Sequence, residues 1–230
     1  MMMSHPMNRF PFSLSFAVVT FLFGLAVGFL GLAGNALAQE PTLEPAPVSV
    51  DPVALAAIQK YLNSVTSIRA KFIQTTSQGG FAEGTLALSR PGKMKIAYAP
   101  PNPYEIYADG TWLTYVDYEL KEVNQIPLSA TPAAVLLSET ISFGGKIAVA
   151  ALKEQRGHHR LFLKQAGDED AGTLILILAK EPLKLRGWAV IDAQQVRTSI
   201  VLVKPEWNAA IDLRKLIFDR PDWSTTGSCE

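Results

Sequence analysis

Cysteine is almost absent from these 230 residues: Cys229, next to the last position, has no second cysteine with which to close an internal disulfide. The fold therefore cannot depend on disulfide staples. Histidine is nearly as scarce. Beyond the N-terminal region only His158 and His159 remain, and adjacent residues on a strand point to opposite faces, so the pair cannot jointly grip one metal ion. Neither sign of charge is in excess, with 21 basic and 21 acidic residues, which argues against a nucleic-acid partner. There is no GxSxG, HExxH, P-loop, dinucleotide-binding glycine pattern or CxxC, so the common local signatures of hydrolysis, zinc catalysis, nucleotide binding and thiol redox chemistry are missing. The acidic run Asp168-Glu169-Asp170 lacks the ligand spacing of a calcium loop and reads as a solvated turn. Together these absences predict a protein that is not an enzyme and uses no cofactor or metal.

Acidic residues are missing from the first 38 positions, where Arg9 is the one basic residue and precedes an apolar stretch from about Phe10 to Leu32. The stretch ends in Ala36-Leu37-Ala38, with small residues on both sides of Leu37. This layout predicts an export signal cleaved before Gln39, although an apolar run of about 20 residues also suffices for an uncleaved membrane anchor. Losing Arg9 with the leader leaves 20 basic against 21 acidic residues. Gln39 to Val50, with Pro41, Pro45 and Pro47, offers little to bury and reads as a flexible lead-in. Residues 51–230 then suit one domain with a sizeable core. The expected setting is the periplasm, with the mature protein soluble and monomeric.

The periodicity within that domain is mostly that of strands. Asp51-Pro52 carries a helix start, a capping carboxylate before a proline, and Leu55, Ile58, Leu62 and Val65 recur at helical spacing. After Ser67 the period drops to two, with Ile68, Ala70 and Phe72 alternating against Arg69, Lys71 and Ile73. Further alternating runs follow at Gly84 to Arg90 and Met94 to Tyr98. Asp109-Gly110 is a strong hairpin signal between Glu105 to Ala108 and Thr111 to Val116, and Lys121 to Gln125 continues the series. Thr131-Pro132 opens a short apolar helix, after which Arg160 to Gln165, Thr173 to Ala179, Leu185 to Ile191 and Arg197 to Leu202 read as strands. About ten antiparallel strands and two helices predict an α+β, mainly β fold. We expect an incomplete antiparallel barrel, a half-barrel whose helical lid encloses an apolar cavity, though a β-sandwich fits the same pattern.

Polar residues within apolar rows stand out. By alternation Arg90 shares a face with Leu86 and Leu88, so its guanidinium needs partners if that face looks inward. Phe72, Tyr98, Tyr107, Trp112 and Tyr115 concentrate aromatic surface in one hairpin region.

The segment from Ile68 to Leu137 resembles the periplasmic outer-membrane lipoprotein carriers, the LolA family. The resemblance rests on the order of Phe72-Ile73-Gln74, Gly84, Leu86, Arg90-Pro91-Gly92-Lys93, Tyr98, Pro101, Asp109-Gly110, Tyr115, Pro127-Leu128, Thr131-Pro132 and Leu136-Leu137. It implies an apolar cavity that holds the acyl chains of lipoproteins, cargo taken from an inner-membrane lipoprotein-releasing ABC transporter, and delivery to an outer-membrane lipoprotein acceptor. It also implies that Arg90 is the residue that holds the lid shut over the empty cavity. Phe72, Leu86, Leu88, Met94, Ile96, Tyr98 and Trp112 are the accompanying candidates for cavity lining. Met94-Lys95-Ile96 departs from the family, many members of which carry an aromatic there, so the identity of the cargo stays open. A carrier or sensor of the same fold for another lipid, such as a glycolipid or hopanoid, or an envelope-stress regulator, remains the alternative.

Overall fold

A computed structural model describes residues 50–167 and 172–223. The leader with its cleavage point, the run Asp168 to Asp170 and residues 224–230 lie outside the described residues. Helix α1 (Pro52–Ser64) begins as the sequence predicts: the Asp51 carboxylate accepts hydrogen bonds from the Val53 and Ala54 amides at 2.9 and 3.3 Å. Its apolar stripe buries Ile58 and Leu62. Strands β1 (Ser67–Thr76), β2 (Phe81–Ser89), β3 (Lys93–Tyr98), β4 (Tyr104–Asp109), β5 (Trp112–Asp117) and β6 (Glu122–Pro127) follow as a meander. A 3₁₀ turn (Leu128–Ala130) and helix α2 (Ala133–Leu137) lead to β7 (Ile147–Gln155), β8 (His158–Gln165), β9 (Thr173–Ala179), β10 (Lys184–Ile191) and β11 (Arg197–Trp207).

The eleven strands make one antiparallel sheet in the order β6-β5-β4-β3-β2-β1-β11-β10-β9-β8-β7. It is open, with β6 and β7 as its edges, so the barrel is incomplete as expected. Strand β7 is the one the sequence reading lacks, and a register shift between Val149 and Ala151 explains why. The bulge moves the apolar positions from one phase of the alternation to the other within a single strand, which erases the period-two signal.

Register sorts the side chains into two faces. Phe72 pairs with Gly84 and Leu202, Leu86 with Ile96, and Leu88 with Met94, and these apolar side chains are buried together on the core face. Leu161, Leu163, Leu174, Leu176, Leu178 and Trp188 continue that face through the second half of the sheet. The connection from β6 to β7 has to pass from one edge of the sheet to the other, and it does so over the core face, burying Leu128, Leu136, Leu137 and Ile141 against it. A buried cover of α1 and this crossing segment thus seals one face. Gly84 makes room within it: a β-carbon there would sit 2.2 Å from the Ala97 carbonyl oxygen and 2.9 Å from the Phe72 ring, so the aromatic ring can lie over the strand only because the side chain is missing.

Candidate functional site

Both parts of the lid are tied to the sheet by one side chain, Arg90, and α1 is tied again where the Tyr61 hydroxyl accepts from the Leu185 amide of β10 at 3.0 Å. Arg90, directly after β2, donates from Nε to the Ser138 carbonyl at 2.8 Å, and from one terminal nitrogen to the Leu62 and Val65 carbonyls at 2.6 and 2.7 Å. Its other terminal nitrogen lies 3.4 Å from Asn63 Oδ1. The carbonyls belong to the C-terminal turn of α1 and to the residue after α2, where helical carbonyls lack partners and the helix dipole favours a cation. Burial lowers the Arg90 pKa from its ordinary value, and among the described residues no carboxylate pairs with it. A guanidinium held only by carbonyl dipoles is a clasp that can be undone without separating an ion pair. Nearby, the Gly92 amide donates to the Leu137 carbonyl at 2.8 Å, adding a backbone tie between the sheet and α2.

Beneath the lid the sheet is tightly packed. The gap lined by Leu62, Val65, Ile68, Leu88, Arg90, Leu136, Ile141 and Leu185 amounts to about 10 Å³, no more than one water molecule needs and far too little for an acyl chain. The lid is therefore seated in this structure, and any guest on the core face has to displace it.

Of the candidates named from the sequence, Phe72, Leu86, Leu88, Met94 and Ile96 meet in the buried cluster. Tyr98 packs its ring edge-on against Phe72 with centroids 5.3 Å apart and donates to Gln74 Oε1 at 2.8 Å. Tyr104 and Tyr115 extend this aromatic row, each partly exposed, at the end of the core face away from Arg90. Trp112 does not join them. It pairs with Pro127 while its neighbour Leu113 faces the cluster, so Trp112 stands on the opposite face, 42% exposed. The Asp109-Gly110 turn fixes this phase, and proximity in sequence to the other aromatics concealed it.

Burial, partly offset by the bond to Gln74, pushes the Tyr98 hydroxyl up to about 12 from an ordinary value of 10.0. Because the folded state holds the proton more tightly than the unfolded chain, its contribution is complete below pH 10 and fades as pH rises towards 12. Two units correspond to roughly 2–3 kcal/mol. We expect denaturant stability to fall across that window in the native protein and to fall less in Tyr98→Phe. Equal slopes would contradict the assignment.

The opposite face carries features that sequence reasoning missed. After β11 the chain turns back across it: a 3₁₀ turn (Leu213–Leu216) buries Leu216, the tilted Phe218 ring lies 5.5 Å from Tyr107, and Trp223 lies 5.7 Å from Tyr118. Between this strap and β1, β2, β3 and β11 is an open groove of about 710 Å³, whose walls include Ala87, Val203 and Leu216 beside Arg69, Lys71 and Lys95. Tyr107 and Tyr118 both donate to Glu105, which also pairs with Lys95 at 2.9 Å. No sequence period announces the strap, because its apolar residues are isolated in an irregular segment.

The sequence model described as "Outer membrane lipoprotein carrier protein LolA" matches residues 63–219, more than half of the chain. The chain belongs to the LolA family. Curated LolA relatives named outer-membrane lipoprotein carrier protein include one from Chromohalobacter salexigens, 29% identical over 70% of this chain and 80% of the relative. Another, from Leptothrix cholodnii, is 27% identical over 73% of this chain and 82% of its own length. Among solved structures, a LolA-superfamily protein from Nitrosomonas europaea aligns with a TM-score of 0.44 and 7% identity over 71% of this chain and 97% of that one. The matched region holds Arg90, the last two residues of α1, α2 and all eleven strands.

Proposed function

We propose that this LolA-family protein is a periplasmic chaperone that binds the acyl chains of lipoproteins released from the inner membrane and carries them to an outer-membrane acceptor. The observation that carries the reading is a two-part lid over an apolar, closely packed sheet face, with both parts tied to the sheet by the displaceable guanidinium of Arg90. The partners on this reading are the acylated lipoproteins, the inner-membrane lipoprotein-releasing ABC transporter and the outer-membrane lipoprotein acceptor. The carrier itself performs no catalytic step and holds no nucleotide.

Magnitudes favour a lipidated cargo. Lifting the lid exposes Ile58, Leu62, Val65, Leu128, Leu136, Leu137 and Ile141. At roughly 1.5–3 kcal/mol for each buried side chain, a fully lifted lid loses about 10–20 kcal/mol unless something replaces it. Each acyl methylene contributes about 0.8 kcal/mol, so about 12–25 methylenes are needed to balance the exposure. One short chain falls below this range, whereas two or three long chains reach it. The empty carrier closes and the loaded one stays open, yet the balance is close enough to permit hand-over.

To test this, spheroplasts are incubated with protein purified from cells expressing the full chain, and the soluble fraction is examined by mass spectrometry. Release of a triacylated protein in a one-to-one complex is the expected result. Recovery of free lipid alone, or of no bound apolar species, overturns the reading.

A further inference from the structure

Arg90 binds both lid segments to the sheet, and a second set of contacts, which shares only Asn63 Oδ1 with Arg90, binds the two segments to each other. Asn63 Nδ2 donates to the Ile141 carbonyl at 2.8 Å, and Asn63 Oδ1 accepts from the Ile141 amide at 2.8 Å. Four residues earlier on α1, Gln59 Oε1 accepts from the Phe143 amide at 3.1 Å. The spacing explains the match: four helical residues rise about 6.0 Å, and two extended residues advance about 6.6 Å. Two carboxamides one turn apart therefore face alternate residues of an extended segment, much as a neighbouring strand would.

We propose that Gln59 and Asn63 form a clasp that joins α1 and residues 138–143 into one body, so that the lid leaves the sheet as a unit when the Arg90 contacts break. This rests on the carrier reading for its purpose and on the hydrogen bonds alone for its existence. The two amides and the carbonyl that the clasp satisfies have no other partner among the described residues. If α1 rose alone, Ile141 would lose both of its backbone partners at once. If residues 138–143 rose alone, the same bonds would be lost. Movement of both together keeps all three bonds and breaks those that tie the lid to the sheet, at Arg90, at Gly92, between the Leu185 amide and the Tyr61 hydroxyl, and between Asn208 Nδ2 and the Ser64 carbonyl. A clasped lid has one open state and one closed state, whereas an unclasped lid adds half-open states that expose the apolar face with no guest to cover it. Gln59 and Asn63 are positioning residues; neither needs to touch the cargo.

Hydrogen exchange resolved by mass spectrometry tests the clasp on protein purified from cells expressing the full chain. Four forms are compared: wild type, Arg90→Leu, Asn63→Leu and the double variant. A peptide from β9 monitors the sheet, so that exchange through global unfolding is recognised and set aside. In Arg90→Leu, peptides covering α1 and residues 138–143 should accelerate by the same factor, tenfold or more. In the double variant the two peptides should differ from each other by at least fivefold. With Arg90 already replaced by leucine, so that no guanidinium is there to pair with the new carboxylate, Asn63→Asp keeps the acceptor but not the donor and should give a ratio between those of Arg90→Leu and the double variant. Unequal acceleration in Arg90→Leu alone, or equal acceleration in the double variant, overturns the clasp. Adding a synthetic triacylated lipopeptide separates this from the carrier reading. If the peptide leaves both segments unchanged while Arg90→Leu moves them together, the clasp stands and the carrier reading fails. If it opens them by different factors, the carrier reading stands and the clasp fails.

Discussion

Arg90→Leu should leave acyl-chain binding intact while cutting hand-over to an acceptor bilayer by tenfold or more. Leucine keeps the apolar stem but leaves the Leu62, Val65 and Ser138 carbonyls without the donor that held them. Hydrogen bonds to a charged group contribute about 1.5–3 kcal/mol each, and even a fraction of three such bonds shifts the closed-to-open ratio by a factor of ten to a few hundred. On the carrier reading the cargo does not need these bonds, since it would occupy the open state. Release would need them, because closure of the lid would expel the chains. The measurement is transfer of a labelled triacylated lipopeptide from purified complex to liposomes, with retained binding checked by co-elution. Wild-type transfer by this variant would remove the latch from the account.

A second large effect concerns stability. Gly92 sits at φ +76, and a β-carbon on it would lie 2.5 Å from the Gly110 α-carbon, where the turn before β3 meets the β4–β5 hairpin. The obstacle is backbone, so no side-chain rotation relieves it, and displacing the turn also pulls the Gly92 amide from the Leu137 carbonyl. Gly92→Ala should cost about 3 kcal/mol or more, combining left-handed strain with the clash. For a chain of this size that lowers the melting temperature by roughly 6–12 °C. Gly79→Ala is the control: at φ +86 with nothing within 4 Å of the added carbon it carries the strain without the clash. It should cost only about 1 kcal/mol. Equal losses in the two variants would show that the close approach is unimportant.

Much of this molecule was legible in the sequence because local signals and tertiary outcome agree. Asp51-Pro52 starts α1, period-two runs become strands, and the alternation of Leu86, Leu88 and Arg90 places the arginine on the core face beneath α1. What failed did so for identifiable reasons. Strand β7 lost its period to a bulge, and Trp112 was grouped with aromatics that its register sends to the other face. The strap after β11 packs through Leu216 and Phe218 with no repeat to reveal it. Gln59 and Asn63 had a faint signal, two carboxamides one helical turn apart beside the apolar stripe of Ile58 and Leu62. Polar residues flanking such a stripe are ordinary, so only their contacts with residues 141 and 143 give them meaning.

Among the described residues, two places offer themselves to a lipid chain: the closed core face beneath α1 and α2, and the open groove of about 710 Å³ under the C-terminal strap. On the carrier reading the acyl chains occupy the first. A triacylated lipopeptide bearing a photoreactive group near the end of one acyl chain, irradiated in complex with the protein and mapped by peptide mass spectrometry, decides between them. Cross-links to Leu62, Leu88, Met94, Leu136 or Ile141 are the predicted result. Cross-links confined to Ala87, Val203 or Leu216 would place the cargo on the other face and contradict the account.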